Sequence, residues 1–458
     1  MSRKYLKLFI LNIRAIVFRN WVCTIFLLAF IALIINFIVF FPGYMSNDSI
    51  LMYYVARGDV PSDLAPVMLG LVWRVLYSLT GQASSLLFMQ LTMLWLSLAL
   101  LSVFIFKKTN NKKLSLLILF IGCLPFVFNI SGVIWRDCQM AFSLLLAFSI
   151  TLWQQEVRKL WLRISMLTIS LILILYAAVS RYNAIIAVVP MIFLAIRASG
   201  FIKKTYLQII IAFLSIPLVF LVLFPSINNF VSATKSNNSP GIFLDDIIRT
   251  SNKEELDKIS MPNDLRVNLL KVQDCSYKKD RLIDNIGFCA DDEIRTVFYQ
   301  NHSEFKKIWL QVITNNPFSY IKYKANMYLN VLFPVKSYIY VWQDGIVPNK
   351  YNVEIRFDVF RVIGFAYTNF FSRYMRALFE PWFWLLSGII IMYKSIKKAS
   401  KYKLVINTLC ISGILYILGY AITGVAPDFR YIYWSVLAII FAFVLYKLDI
   451  SNSFKKQV

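Results

Sequence analysis

Long apolar runs alternate with short polar gaps along most of this chain. Ten runs have the length and character of membrane helices: Trp21 to Phe41, Ser84 to Phe106, Leu114 to Ile130, Cys138 to Trp153, Ile164 to Val179, Tyr182 to Ile196, Tyr206 to Phe224, Phe379 to Tyr393, Leu404 to Ile422 and Tyr431 to Tyr446. The pattern predicts an all-α polytopic membrane protein with about ten transmembrane helices. Several runs, such as Cys138 to Trp153, are short, which predicts tilted or partly re-entrant helices. Val67 to Leu79 is apolar but shorter still and carries Trp73 and Arg74 in its middle. It reads as a juxtamembrane or half-inserted helix.

One stretch breaks the alternation. Pro225 to Leu378 holds no membrane-length run and is too long for a turn. Three parts follow: an N-terminal transmembrane core over 1–224 with an outer loop at 42–66, an extracytoplasmic, mostly helical region over 225–378, and C-terminal membrane helices over 379–458. Within the middle part, Phe305, Ile308, Trp309, Val312 and Ile313 recur at helical spacing, and Pro317 interrupts the run. Two helices joined at Asn315-Asn316-Pro317 are expected. No internal repeat or low-complexity tract is visible.

Composition sharpens the membrane reading. The 458 residues are 59% hydrophobic and 16% charged, against roughly 45–50% and about 25% in soluble domains. The net charge of +24 would suit nucleic acid, but no nucleic-acid motif is present and the basic residues fall at regular places. They sit before the first run (Arg3, Lys4, Lys7, Arg14, Arg19) and in every second loop (Lys107, Lys108, Lys112, Lys113; Arg158, Lys159, Arg163; Arg197, Lys203, Lys204; Lys394 to Lys403), and they close the tail at Lys455-Lys456. The positive-inside rule then puts both termini in the cytoplasm. Trp21 to Phe41 lacks a small-residue cleavage site, so an uncleaved first span is expected. The region 225–378 mixes 20 Lys/Arg with 16 Asp/Glu, as a small soluble domain does. Elsewhere only eight acids occur. Asp48, Asp59, Asp63, Asp137, Glu380 and Asp428 fall on or near the outer face, and Glu156 and Asp449 inside.

Of six cysteines, Cys23, Cys123, Cys138 and Cys410 lie in or beside apolar runs and read as small apolar residues. Cys275 and Cys289 are the two in the outer region. A disulfide is expected between them in an oxidising compartment, the alternative being two unpaired buried thiols. The single histidine, His302, excludes a histidine-based metal cluster and reads as a surface residue.

Candidate chemistry lies at the outer ends of separate runs. Asp48 follows the first, in Pro42-Gly43-Tyr44-Met45-Ser46-Asn47-Asp48-Ser49, and Asp63 lies in the same loop. Arg136-Asp137 ends the third run, Arg181 follows the fifth, and Asp428-Phe429-Arg430-Tyr431 forms the last outer turn. A charge at the bilayer centre costs roughly 2.5–3.5 kcal/mol or more, so such groups pair, sit at boundaries, or face a polar cavity. Arg136 with Asp137, or Arg430 with Asp428, would make ordinary interfacial ion pairs. As a set, four segments delivering charge to one face suit an anionic, lipid-linked substrate. Arginine clamps phosphate, and a carboxylate can deprotonate a hydroxyl.

These segments, with Val133-Ile134-Trp135-Arg136-Asp137, Ser180-Arg181-Tyr182-Asn183-Ala184 and Ala426-Pro427-Asp428-Phe429-Arg430-Tyr431, resemble in their order the GT-C superfamily of polyprenyl-phosphate-sugar-dependent glycosyltransferases. The chain is more closely similar to bacterial serotype-converting, O-antigen-modifying membrane transferases of lipopolysaccharide loci. The resemblance covers most of the chain and implies a GT-C-like fold in a bacterial inner membrane. It implies transfer of a sugar such as glucose from undecaprenyl phosphate to a lipid-linked or surface polysaccharide. Asp48 is then the catalytic base. Asp63, Arg136, Asp137, Arg181, Asp428, Arg430 and Tyr431 bind substrate, with the three arginines on the lipid phosphate. Tyr44, Trp135 and Tyr431 would anchor at the interface or stack on sugars. No metal is demanded, although some members use a divalent ion, which Asp48 or Asp137 could ligate. One departure stands out: related loops read Asp-x-His-Pro, where Asp63-Leu64-Ala65-Pro66 has no histidine. The competing expectations are a polysaccharide polymerase or ligase using diphosphate-linked glycans, and a lipid-linked glycan transporter.

Overall fold

The computed structural model describes residues 20–454 apart from 64, 236–238, 280–284, 335–339, 398–400 and 424–427. The basic segment before Asn20, Lys455-Lys456, Leu64 and Ala426-Pro427 lie outside the described residues. Among those described, every regular element is helical, and four isolated backbone bridges stand in for strands. The longer helices, leaving those of five residues or fewer unnumbered, are α1 Trp21–Phe40, α2 Asn47–Ala56, α3 Met68–Thr80, α4 Ser85–Thr109, α5 Lys112–Phe120, α6 Arg136–Gln154, α7 Leu160–Ser180, α8 Ile185–Ser199, α9 Thr205–Phe230, α10 Ser239–Thr250, α11 Asn263–Lys278, α12 Asp292–Gln300, α13 His302–Asn315, α14 Pro317–Leu332, α15 Asp358–Tyr374, α16 Pro381–Ile396, α17 Lys403–Thr423 and α18 Tyr433–Phe454.

Seven of these helical stretches are long and apolar enough to cross a membrane: α1, α4, α7, Tyr182–Ser199, α9, and most of α17 and α18. The chain is a multi-pass membrane protein. The three other expected runs differ, each for a local reason. Leu114 to Ile130 is not one helix. It ends at Phe120, tightens into a 3-10 turn at Ile121–Cys123, and restarts at Pro125. Proline pushes the preceding Leu124 into extended backbone, φ −61° and ψ 139°. Gly122 lets this break pack closely, since a Cβ there would lie 2.6 Å from the Trp95 ring. The run at Cys138 to Trp153 becomes α6, which is buried nearly throughout. Surrounded by protein, α6 can carry Asp137, Gln139, Ser143, Ser149, Thr151 and Gln154, which makes it less apolar than the seven longer spans. The last, α16, has only 16 residues. In α9, Pro217 cannot supply its N–H, and the helix relaxes into a wider π turn over Leu218–Leu223.

The bundle has two unlike ends. At one, Trp21 Nε1 donates to Ser115 Oγ at 2.9 Å, and Lys112 sits over the Trp21 ring. There too Lys108 pairs with Glu156 at 2.5 Å, and the Tyr402 N–H donates to the Asp449 carboxylate at 3.3 Å. Phe104 ties these groups together by packing on both Trp153 and Tyr402. The start of α1 and the end of α18 therefore lie at this lysine-bearing end. The opposite end carries Asp48, Arg136, Asp137, Arg181, Asp428 and Arg430.

The stretch 225–378 divides in two. Residues of α10 to α13 close around their own core of Leu244, Ile248, Leu269, Phe298, Phe305 and Val312, and Cys275 and Cys289 are disulfide-bonded within it. The predicted pair of helices joined at Asn316 is α13 and α14. His302 is half-buried and stacks against Phe243 in this unit. α14 bridges the two parts, with Lys324 pairing with Asp246 of α10 at 2.6 Å, and from its end onward the chain packs on the bundle, where Leu332, Trp342 and Phe379 belong to the core. Between α14 and α15 an extended strap, residues 340–349, crosses the charged end. The Met45 N–H donates to Gly345 O, the Val347 N–H to Met45 O, and the Phe429 N–H to Tyr340 O. Gly345 holds φ +73° there, with Ile355 where a Cβ would go.

Candidate acid–arginine cleft

Four elements bring their charges together. The first turn of α2 presents Asp48, where Ser46 and Ser49 form a reciprocal capping box. Trp135 Nε1 donates to Ser46 Oγ at 2.8 Å, binding that turn to the start of α6. The first turn of α6 supplies Arg136 and Asp137, and no side chain caps its N-terminus. The α7–α8 turn supplies Arg181 and Asn183. The 3-10 turn before α18 supplies Arg430 and Tyr431, with Asp428 as its cap.

The ion pairing is not the nearest-neighbour pairing that the sequence suggests for Arg136. That residue does not pair with Asp137. Asp137 is bound by Arg181 across two helices, while Arg181 Nε donates to Asn183 Oδ1 at 3.0 Å. Arg430 Nη1 donates to Asp48 Oδ2 at 2.7 Å, and its Nε lies 2.8 Å from Asp428 Oδ2 without aligning a hydrogen bond to it. That second pair is the expected Arg430–Asp428 contact. Arg136 meets Asp48 only at 4.0 Å. Thus Arg181 and Arg430 are held by protein carboxylates, and Arg136 is the guanidinium with donors to spare.

Exposure separates the carboxylates. The Asp48 side chain is 43% exposed, Asp428 9% and Asp137 2%. Burial works against the charge on Asp48, but Arg430 and Arg136 outweigh it and hold the carboxyl below its usual range. Burial dominates at Asp428 and pushes its carboxyl up to about 6, against the pull of Arg430.

The cleft between them is lined by Asp48, Leu69, Ile134, Trp135, Arg136, Asp137 and Arg430, and it is closed down so far that it has essentially no room for a water-sized sphere. An apolar groove of about 450 Å³ backs onto it, lined by Met68 and Val72 of α3, Met89 and Met93 of α4, Tyr176 and Val179 of α7, and Leu223 and Ile227 of α9. The first turn of α3 separates the two, with Met68 facing the groove and Leu69 the cleft. Tyr176 spans the same wall, donating to Gln139 Oε1 at 3.1 Å, two residues from Asp137.

Several expected contributors sit elsewhere. Asp63 does not line the cleft, and its backbone carbonyl accepts a hydrogen bond from Tyr182 Oη at 2.8 Å. Tyr44 is fully buried between Phe40 and Trp342, so it is neither an interfacial anchor nor a sugar platform. Tyr431 is buried too, its ring stacked on Tyr420 at 5.0 Å and under Arg181 at 4.9 Å. It braces the arginine and has no face left for a ligand. Trp135 lies under the Arg430 guanidinium at 4.8 Å. Tyr416 and Tyr420, hydroxyl-bonded at 3.1 Å behind Arg181, were missed. Two tyrosines four apart on a membrane helix were the available signal.

A divalent ion does not fit this arrangement. Calcium needs six to eight oxygen ligands and magnesium an octahedral set. Each carboxylate here faces a guanidinium, and only Asp137 Oδ1 is buried without a hydrogen bond. Among the described residues no group of three His, Cys, Asp or Glu side chains converges.

Fold and site define a class: a multi-pass helical membrane protein with a networked acid–arginine cleft at one end of its bundle. Beyond that class, comparison with family models, curated proteins and solved structures finds no match to the chain.

Proposed function

We propose that this protein is a GT-C-like glycosyltransferase of a bacterial inner membrane. It moves a sugar, glucose among the candidates, from undecaprenyl phosphate to a hydroxyl of a lipid-linked or surface polysaccharide such as O-antigen. In this reading the chain crosses ten times, α5 with its broken continuation, α6 and α16 joining the seven longer helices. Both termini are cytoplasmic and the charged end is periplasmic. The observation that carries the reading is the juxtaposition across α3 of an arginine-bearing cleft and an apolar groove. A lipid phosphate needs both, a cationic seat for its head and a dry channel for its chain.

The chemistry follows from the unequal partners of the arginines. The phosphate of the donor docks on Arg136, whose donors are least used. The acceptor hydroxyl loses its proton to Asp48, and its oxygen bonds to the anomeric carbon as the bond from that carbon to the phosphate oxygen breaks. The electron pair leaves on the phosphate, where Arg136 and Arg430 meet the growing charge. Asp48 is a weak base while Arg430 holds it. An incoming phosphate that draws Arg430 toward itself weakens that hold and raises the basicity of Asp48 when substrate is present.

Asp48→Asn tests this in membranes supplied with a polyprenyl-phosphate sugar. General-base loss costs about 10²–10⁴-fold in rate, and full activity in the variant would remove Asp48 from the mechanism.

A further inference from the structure

The region between α14 and α16 holds an apolar surface that a soluble domain would not leave bare. α15 exposes Val359, Val362, Ile363, Ala366, Phe370 and Tyr374, which recur at helical spacing on one face and are broken only by Asn369 and Arg373. Three of them, Val359, Ile363 and Tyr374, are 69%, 58% and 70% exposed. The opposite face already packs on the bundle: Gly364 abuts Trp342, and Tyr367 Oη donates to Cys123 O at 2.8 Å. With one side already packed on the bundle, α15 still presents an apolar face that water does not solvate well.

Its length and attachment say what covers it. Seventeen residues span about 26 Å, at the lower limit for a crossing, so the attachment of its two ends decides. Both its ends meet the bundle at the charged end. Phe357, just before it, packs on Phe41 past the end of α1, and the turn after it places Phe379 on Phe429 beside the cleft. The helix therefore runs along the rim and does not traverse. On the far side of α16, α14 leaves the soluble unit, where Lys324 pairs with Asp246 of α10, and exposes Phe318, Ile321 and Leu329, with Phe333 just past its end. Its Tyr328 Oη donates to Ile417 O at 3.4 Å, six residues before the end of α17. That contact lies about 9 Å inside a membrane-crossing helix. Phe333 stacks on Trp382 at the start of α16. Both exposed stripes thus continue the lipid-facing surface of the bundle. Exposed arginines, Arg356 before α15 and Arg373 and Arg376 at its end, bracket the apolar face as headgroup anchors do.

We propose that α14 and α15 are in-plane helices embedded in the leaflet at the charged end, with acyl chains as the occupant of their exposed faces. The stretch 225–378 is then a soluble unit of α10 to α13 followed by a membrane-embedded return. The strap 340–349 at the charged end lies between these two helices in the chain. This inference stands on packing and exposure alone and is independent of the reaction catalysed.

Site-directed spin labelling of the full chain in phosphatidylethanolamine–phosphatidylglycerol vesicles tests it. Cys23, Cys123, Cys138 and Cys410 are replaced by Ala, and single labels are placed at Val359, Ile363, Phe370 or Phe318, with Lys253 in the soluble unit as reference. The expected result is collision with dissolved oxygen but not with a water-soluble nickel chelate at the four apolar sites, and the reverse at Lys253. Nickel accessibility at Val359 and Ile363 would overturn the proposal, as would dipolar broadening there, which would assign the face to a second copy of the chain. Labelling the unaltered protein with a bilayer-confined diazirine gives a second reading free of substitutions. Carbene adducts on 358–374 are expected, and their absence beside labelled α1 would count equally against it.

Discussion

The two ends of the bundle treat charge in opposite ways. At the lysine-bearing end, Lys108 and Glu156 form a single pair, 22% and 35% exposed, at the edge of the fold. At the other end three arginines and three aspartates interlock across four segments, and five of the six side chains are at most 17% exposed. The first arrangement costs little to maintain. The second removes several ions from water, where the desolvation penalty amounts to several kcal/mol per ion and rivals the attraction regained. Stability alone gives no reason to build the second on a scaffold that could have used apolar residues. The difference separates charge that orients a protein in its membrane from charge kept for a task.

That contrast can be broken experimentally. Asp137→Ala strands Arg181 in a buried site, and unfolding in detergent should show a loss of about 3–5 kcal/mol. A loss below 1 kcal/mol would mean that the cluster is wetter than its packing implies. Arg136→Ala should behave differently, because its one ionic contact is at 4.0 Å. Folding should be nearly unchanged while transfer from a polyprenyl-phosphate sugar falls about 10²–10³-fold, as when a transition-state donor is removed. If the two variants lose stability equally, the division between held and open arginines is wrong.

A subtler effect concerns pH. The Asp428 carboxyl is raised to about 6 by burial, so the folded state binds its proton more readily than the unfolded chain does. Its contribution therefore stabilises below the ordinary carboxylate range and is lost as pH rises through about 6. For activity the sign is reversed, because only ionised Asp428 pins Arg430. Transfer should decline as pH falls through about 6, and Asp428→Asn should flatten that limb while lowering the plateau. The smallest effect belongs to the other end: Lys108→Ala should cost at most about 1 kcal/mol and leave transfer unchanged. A large activity loss there would dissolve the distinction between the ends.

Much of this was legible in the sequence, because lipid imposes a strong rule on helix composition. α1, α4 and α17 lie within a few residues of their expected bounds, and the arginines and acids of the cleft were found as a set. What escaped followed from burial inside the bundle. The Arg181–Asp137 pair joins residues 44 positions apart, whereas sequence adjacency pointed to Arg136. Tyr44 and Tyr431 have the composition of ligand platforms, and only packing reveals that their faces are spent on Trp342 and Tyr420. The strap was invisible because its backbone bridges to Met45 and Phe429 leave no periodic trace.

The chain order of the cleft has a consequence for how the protein is made. Asp48, Arg136, Asp137 and Arg181 come from the first half of the chain, and Arg430 arrives in the final helical turn before α18. At synthesis rates of 5–20 residues per second, roughly 12–50 s pass between the emergence of Arg181 and that of Arg430. During that interval the unit of α10 to α13 must fold, and Asp48 has no Arg430. The nascent chain thus holds an unfinished charge cluster, and a ribosome that stalls short of the capped turn before α18 leaves a product that lacks Asp428 and Arg430.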